Sequence, residues 1–172
     1  MPIVQSPNKK LLTKSKEIKK QYICSNIINS IINEMSIELH KTKVGVALSA
    51  PQIGYNIRIF IISNKVFNEN NKDMVFINPH IISISKEKVL LDISCLSIQN
   101  ICGKIERSKL IVLSAYNIIG ELFTIEVSGL LSQIVQHEID HLNGILFIDK
   151  SYKITKCGKS ANLQKYSTIK YI

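Results

Sequence analysis

Residues 128–144 constrain the fold more than any other stretch of the chain. Ser128 is a good N-cap, because its side chain can accept from the open amides of a first helical turn. Asn143-Gly144 supplies a left-handed stop. Between them, Leu130, Leu131, Ile134 and Val135 mark a buried helix over 129–142. The same helix carries His137-Glu138-Ile139-Asp140-His141. Positions i and i+4 share one helix face, so both imidazoles can reach a single metal ion. At 3.6 residues per turn, Glu138 lies about 100° round from His137 and about 60° from His141. Its carboxylate therefore falls beside an open coordination position, within reach of a bound water. Two histidines on a helix can also be a packed or capping pair, but a buried His-Glu-His cluster without a metal would be costly.

A catalytic metal site wants three protein ligands and one open position. After His141 the chain has no further His, and its only acidic residue is Asp149. His40 and His80 read as ordinary surface or loop histidines. Cys95 is the other candidate. It stands in Ser94-Cys95-Leu96-Ser97 at the end of a strand-like run, a good place to present a side chain into a cleft. Taken alone, such a cysteine is more often a buried small hydrophobe.

Cys24, Cys102 and Cys157 form no C-x-x-C pair and are given no catalytic part. Residues 1–20 are polar and basic without an apolar signal core. The longest apolar runs fall far short of a bilayer span. These features predict a soluble, cytoplasmic bacterial chain with reduced thiols, where a special cysteine is a ligand or nucleophile rather than half of a bridge. An organellar address fits less well, because residues 1–20 lack Arg.

The 172 residues suffice for one domain with its own core. We expect an extended basic arm over 1–20 and a first amphipathic helix over 25–40, from apolar residues at helical spacing. Short strands follow over 58–63, 74–78, 81–85, 88–96, 110–116 and 121–127. Asn117 to Gly120 read as a hairpin turn, and 145–148 as a last strand. Connections this brief leave no room for crossover helices, so the sheets should be mainly antiparallel. The fold class is α+β, with short sheets around a central metal-binding helix. The tail over 150–172 is polar and Lys-rich, although Tyr166, Ile169, Tyr171 and Ile172 could dock. A formal net charge of +9 favours anionic partners such as a ribosome surface, but charge alone implies no sequence-specific nucleic-acid recognition.

Three segments together resemble the signature motifs of the peptide deformylase family. Gly45-Val46-Ala47-Leu48-Ser49-Ala50-Pro51-Gln52 is similar to the first, G-φ-G-φ-A-A-x-Q, with φ apolar. Ile93-Ser94-Cys95-Leu96-Ser97 is similar to the second, E-G-C-L-S, and Gln136 to His141 match the third, Q-H-E-x-D-H. The likeness spans roughly residues 3–150.

The resemblance implies hydrolysis of the formyl group from N-formylmethionyl nascent peptides, releasing formate. It implies Cys95, His137 and His141 as ligands of one divalent ion, Fe²⁺ in the cell, with Zn²⁺, Ni²⁺ or Co²⁺ able to substitute. Glu138 becomes the general acid/base. The Gln52 amide and the Leu96 backbone N–H become donors to the developing oxyanion. Val46, Leu130 and Ile134 correspond to the lining of the methionine pocket, and Gly45, Ala47 and Ser94 to the peptide path.

Several positions depart from the pattern. Ala47 replaces a Gly, placing a methyl where the peptide would approach and straining the backbone if φ there is positive. Ser49 replaces an Ala, a milder change that adds one hydroxyl. Ile93 replaces a Glu that pairs with an Arg in the family, so Arg107 is expected to lack its partner. Ser94 replaces a Gly, and Gln99 a Pro. None touches a ligand, Glu138 or Gln52, so the expectation is an intact metal site with altered peptide affinity. The competing readings are a non-catalytic paralogue that binds peptide or ribosome through the same cleft, and a generic zinc endopeptidase indifferent to Cys95.

Overall fold

The computed structural model describes residues 1–67, 72–157 and 167–172. Helix α1 (Asn26–Lys41) begins where the Ser25 hydroxyl accepts from the Ile28 amide, 3.4 Å away. It buries Ile28, Ile32, Met35 and Leu39, a spacing of four, three and four that defines one face. Strands β1 (Ala47–Ser49), β2 (Ile59–Ile62), β3 (Met74–Ile84), β4 (Lys88–Cys95), β5 (Ile98–Ser108), β6 (Leu110–Tyr116) and β7 (Leu122–Ser128) follow. Then come α2 (Gly129–Leu142), β8 (Lys153–Lys156) and β9 (Ser167–Tyr171). The strands form a six-stranded sheet in the order β1-β2-β3-β6-β7-β9 and a three-stranded sheet in the order β4-β5-β8. Every ladder between named strands is antiparallel, as the short connections predict.

The large sheet is covered on both faces. Side chains alternate along β2, so Ile59 and Ile61 join the α1 core while Phe60 and Ile62 join the α2 core. That double burial is why β2 is apolar at every position rather than alternating. Phe60 and Phe76 stack at 4.4 Å between centroids beneath α2.

The structure revises the expected elements at three places. The runs over 74–78 and 81–85 are one strand, β3, interrupted by a register shift between Ile77 and His80. Asn78 takes φ 50° there, and Pro79, with no amide to give, sits within the irregularity. Strand β5 is absent from the expected set because its inward positions Gly103, Ile105 and Arg107 include only one bulky apolar residue. Residues 147–149 form a 3₁₀ turn instead of a strand. Asp149 Oδ2 accepts from the Leu146 amide at 2.8 Å, and Phe147 packs beside Leu11, Ile98 and Leu146.

The tail is anchored at two strands. Strand β8 pairs with β5, and β9 pairs with β7. Ile169 packs against the α2 core, whereas Tyr171 and Ile172 are exposed and Tyr166 lies outside the described residues. The expectation of reduced thiols fails for one pair: Cys102 of β5 and Cys157 beyond β8 form a disulfide. Their spacing in sequence, 55 residues, hides a contact that the β5–β8 register creates. Among the described residues no helix is long and apolar enough to cross a membrane.

Candidate metal centre

The two sheets and α2 converge on one pocket. Strand β4 ends at Cys95, whose Sγ lies 3.2 Å from His141 Nε2. The His137 and His141 rings sit edge to face with centroids 4.7 Å apart. Ligand atoms of Cys95, His137 and His141 all lie within 4.8 Å of one another. Metal–sulfur and metal–nitrogen bonds of about 2.3 and 2.0–2.1 Å put tetrahedral ligand atoms roughly 3.3–3.6 Å apart, so one cation fits with small adjustments. His141 turns Nε2 toward the sulfur, leaving its Nδ1, like His137 Nδ1 and Glu138 Oε2, buried without a protein hydrogen-bond partner, so these atoms call for water.

Gln52 reaches the same pocket from the 3₁₀ turn Ala50–Ile53, which follows β1 and ends at Gly54 with φ 92°. Its carboxamide orientation is fixed from behind. The Ser49 amide and the Ser49 hydroxyl both donate to Oε1, at 2.8 and 2.9 Å. Nε2 is thereby turned toward Cys95 Sγ at 3.6 Å and Ser97 Oγ at 3.3 Å. The Ser97 amide also points at Cys95 Sγ, 3.4 Å away. The Ser49 hydroxyl also lies close to Glu138, between the amide donor and the proton carrier. Ser49 is a milder departure from the family pattern in sequence, but its full burial and its two bonds to Gln52 make it part of the site.

Burial dominates the electrostatics. It pushes the Glu138 carboxyl up to about 8, against a smaller lowering by the Ser49 hydrogen bond. Burial pushes the Cys95 thiol up to about 12 and His141 down to about 4, and it holds His137 well below the usual imidazole range. Without a cation, the neutral-pH pocket therefore holds a thiol and two neutral imidazoles. The imidazoles are already in ligand form, whereas Cys95 must release a proton to bind. Apparent metal affinity should rise at least about tenfold per pH unit between about pH 6 and 9. Competition titration against a chromophoric chelator checks this; a flat profile would mean that Cys95 does not bind as thiolate.

The departures from the family pattern resolve differently from expectation. Ala47 has no positive φ, and it is 7% exposed within the core under α2. Its methyl thus fills the interior instead of narrowing the peptide path. Arg107 does not lack a partner: Nη2 lies 2.7 Å from Asp140 Oδ2, both side chains being buried. Lys150 Nζ donates to the other Asp140 oxygen at 2.6 Å. Ile93 packs with Leu11, Ile98, Leu146 and Phe147, and Ser94 is exposed opposite Cys102 in the β4–β5 ladder. His40 bonds Asp73 at 2.9 Å and is remote from the pocket in its role, tying α1 to the start of β3.

Val46 and Leu130 pack against the cluster that contains Ile134, one turn before His137. Gly45 is closed in by its neighbours: a Cβ there would lie 2.3 Å from Thr42 Oγ1 and 2.9 Å from Leu96 Cδ1. Leu96 follows Cys95 in the turn between β4 and β5. Sequence reasoning missed Ser97 and Arg58. Arg58 had a signal, because it and Arg107 are the only arginines in a chain that otherwise uses Lys.

The family model for polypeptide deformylase matches residues 1–157. A peptide deformylase of Karelsulcia muelleri is 40% identical over 152 residues, covering 88% of this chain and 78% of that protein. One of Borreliella burgdorferi is 39% identical over 149 residues, covering 87% and 86%. A class I type b peptide deformylase structure from Acinetobacter baumannii superposes with a TM-score of 0.81 at 29% identity, covering 87% of this chain and 97% of that one. A Plasmodium falciparum peptide deformylase in complex with an inhibitor gives 0.78 at 34% identity, with 88% and 89% covered.

Proposed function

This chain belongs to the polypeptide deformylase family, and from that premise we propose how its own residues carry out metal-dependent removal of the N-formyl group. The observation that carries the assignment is the meeting of the Cys95 sulfur with both imidazoles of α2, beside the buried Glu138.

Cys95, His137 and His141 hold one divalent cation, Fe²⁺ in the cell, with Zn²⁺, Ni²⁺ or Co²⁺ able to take its place. Such a cation would supply the Lewis acidity that makes water a better nucleophile near neutral pH. Glu138 accepts the proton of the attacking water and delivers it to the leaving amine from a buried place beside both imidazoles. Gln52 Nε2 and the Leu96 backbone N–H donate to the formyl oxygen as it gains charge, and Ser49 keeps the Gln52 donor facing inward. Val46, Leu130 and Ile134 receive the methionine side chain, while Gly45, Ala47 and Ser94 flank the peptide backbone. Ser94 carries the expected change in peptide affinity, since the Ala47 methyl is turned into the core.

The substrates are N-formylmethionyl nascent peptides in the cytoplasm. A Met-Ala-Ser peptide is bound in one Acinetobacter baumannii peptide deformylase structure, which supports a short N-terminal peptide as the bound species. The net charge of +9 supports contact with the ribosome surface, which should weaken as salt rises. The deciding experiment incubates the metal-loaded protein with formyl-Met-Ala-Ser and measures formate. Release that requires the formyl group supports the reading; metal binding without formate release would leave a peptide-binding relative, and cleavage within unformylated peptides a different hydrolase.

A further inference from the structure

The chain carries 22 lysines and arginines, of which only Arg58 and Arg107 are arginines. Both are buried, and both end on the same turn of α2. Arg107, on β5 of the small sheet, faces Asp140 at 2.7 Å. Arg58, just before β2 of the large sheet, donates from Nη1 to the Leu142 carbonyl at 3.3 Å and to Asn143 Oδ1 at 2.9 Å. Its Nη2 donates to the Pro79 carbonyl at 3.5 Å, in the β3 irregularity. His141 lies between these attachments, preceded by Asp140 and followed by Leu142 and Asn143.

We propose that Arg58 and Arg107 are positioning residues that grip the His141 end of α2 from opposite sheets and set the imidazole in ligating position. One planar fork can serve a helix-end carbonyl, a side-chain amide and a carbonyl on a neighbouring strand together; an ammonium is a point donor and cannot span them. A chain that writes nearly all its cations as Lys therefore keeps Arg where the fork is needed. Arg58 also places its charge at the negative end of the helix dipole, where Leu142 and Asn143 terminate the intrahelical ladder. The Arg107 contact supplies the opposite grip. With Ile93 in place of a carboxylate, Asp140 is the acidic group that Arg107 engages, so its hold on the helix is direct.

This inference deepens the metal-site reading and is tested by metal binding, not by turnover. Arg58→Lys and Arg107→Lys keep the charge; the first removes the fork, and the second replaces the guanidinium that meets Asp140 by a point charge. Each should lower Co²⁺ affinity about 10- to 100-fold, the range for outer-shell ligands, and shift the visible absorption of the Co²⁺-loaded protein. Asn143→Ala, a milder change, removes one Arg58 acceptor. It should weaken Co²⁺ binding in the Arg58 protein and add little in the Arg58→Lys background. Folded Lys variants that bind Co²⁺ within twofold of wild type with an unchanged spectrum would overturn the proposal, whatever their melting temperature. If Arg58→Lys does not fold, Asn143→Ala decides alone: unchanged Co²⁺ affinity overturns the Arg58 grip. Absence of formate release by the wild type would instead strike the enzymatic reading and leave this grip standing.

Discussion

Glu138→Gln should keep the metal and lose the reaction. The substitution preserves shape in a fully enclosed position and leaves Cys95, His137 and His141 untouched. An amide cannot accept and return the proton, so formate release should fall by about 10²- to 10⁴-fold at equal metal content. A second consequence separates electrostatics from chemistry. In the metal-free protein, burial raises the Glu138 carboxyl from the ordinary 4.5 to about 8, so the folded state holds a proton that the unfolded state releases. A raised carboxyl contributes stability that is present below the unfolded pKa and lost as pH climbs through the folded one. The loss is on the order of 5 kcal/mol from about pH 5 to above pH 8. Buried His137 and His141 gain stability with rising pH in both proteins, so the Glu138 loss is read as the difference between denaturant melts of metal-free wild type and of the Gln variant. Parallel pH slopes in the two proteins would mean that Glu138 is not desolvated as described.

Cys95→Ala is the second large effect, with the opposite signature. Outer-shell losses around metal sites cost about 10- to 100-fold in affinity. Removing one of three direct ligands should exceed that range and abolish formate release with it. The metal-free protein should lose little stability, because a buried thiol behaves as a small hydrophobe. Inductively coupled plasma analysis of the purified protein, with chelator competition, measures the first effect and a thermal melt the second. Retained metal at wild-type affinity would remove the sulfur from the coordination sphere and return α2 to a two-histidine site.

Both experiments depend on residues that could be read before any coordinates existed, and the reason is physical. Helical geometry ties His137, Glu138 and His141 together within one turn, so their spacing alone states their relation. Cys95 and Gln52 are 43 residues apart, and only motif likeness joined them. The Asn143-Gly144 stop and the 117–120 hairpin were legible because each uses local backbone chemistry, whereas Ser128 stands at the N-cap of α2 without the expected side-chain capping hydrogen bond. Strand β5 was not, since a strand that turns Gly103 and Arg107 inward breaks the apolar alternation by which strands are recognised. The Arg107–Asp140 pair and the Cys102–Cys157 bridge were invisible for a related reason: each depends on which strand lies beside which, a long-range property that composition does not encode. Ser49 looked like a neutral exchange because a hydroxyl gains meaning only when its acceptors are known.

The sulfur ligand ends a strand of the three-stranded sheet, whereas both nitrogen ligands ride on a helix laid across the six-stranded one. Coordination by these three residues would therefore fasten two separately laddered slabs, in the manner of a bolt through overlapping plates. It would lie beside the rivet that Arg107 of the small sheet already makes with Asp140 of the helix.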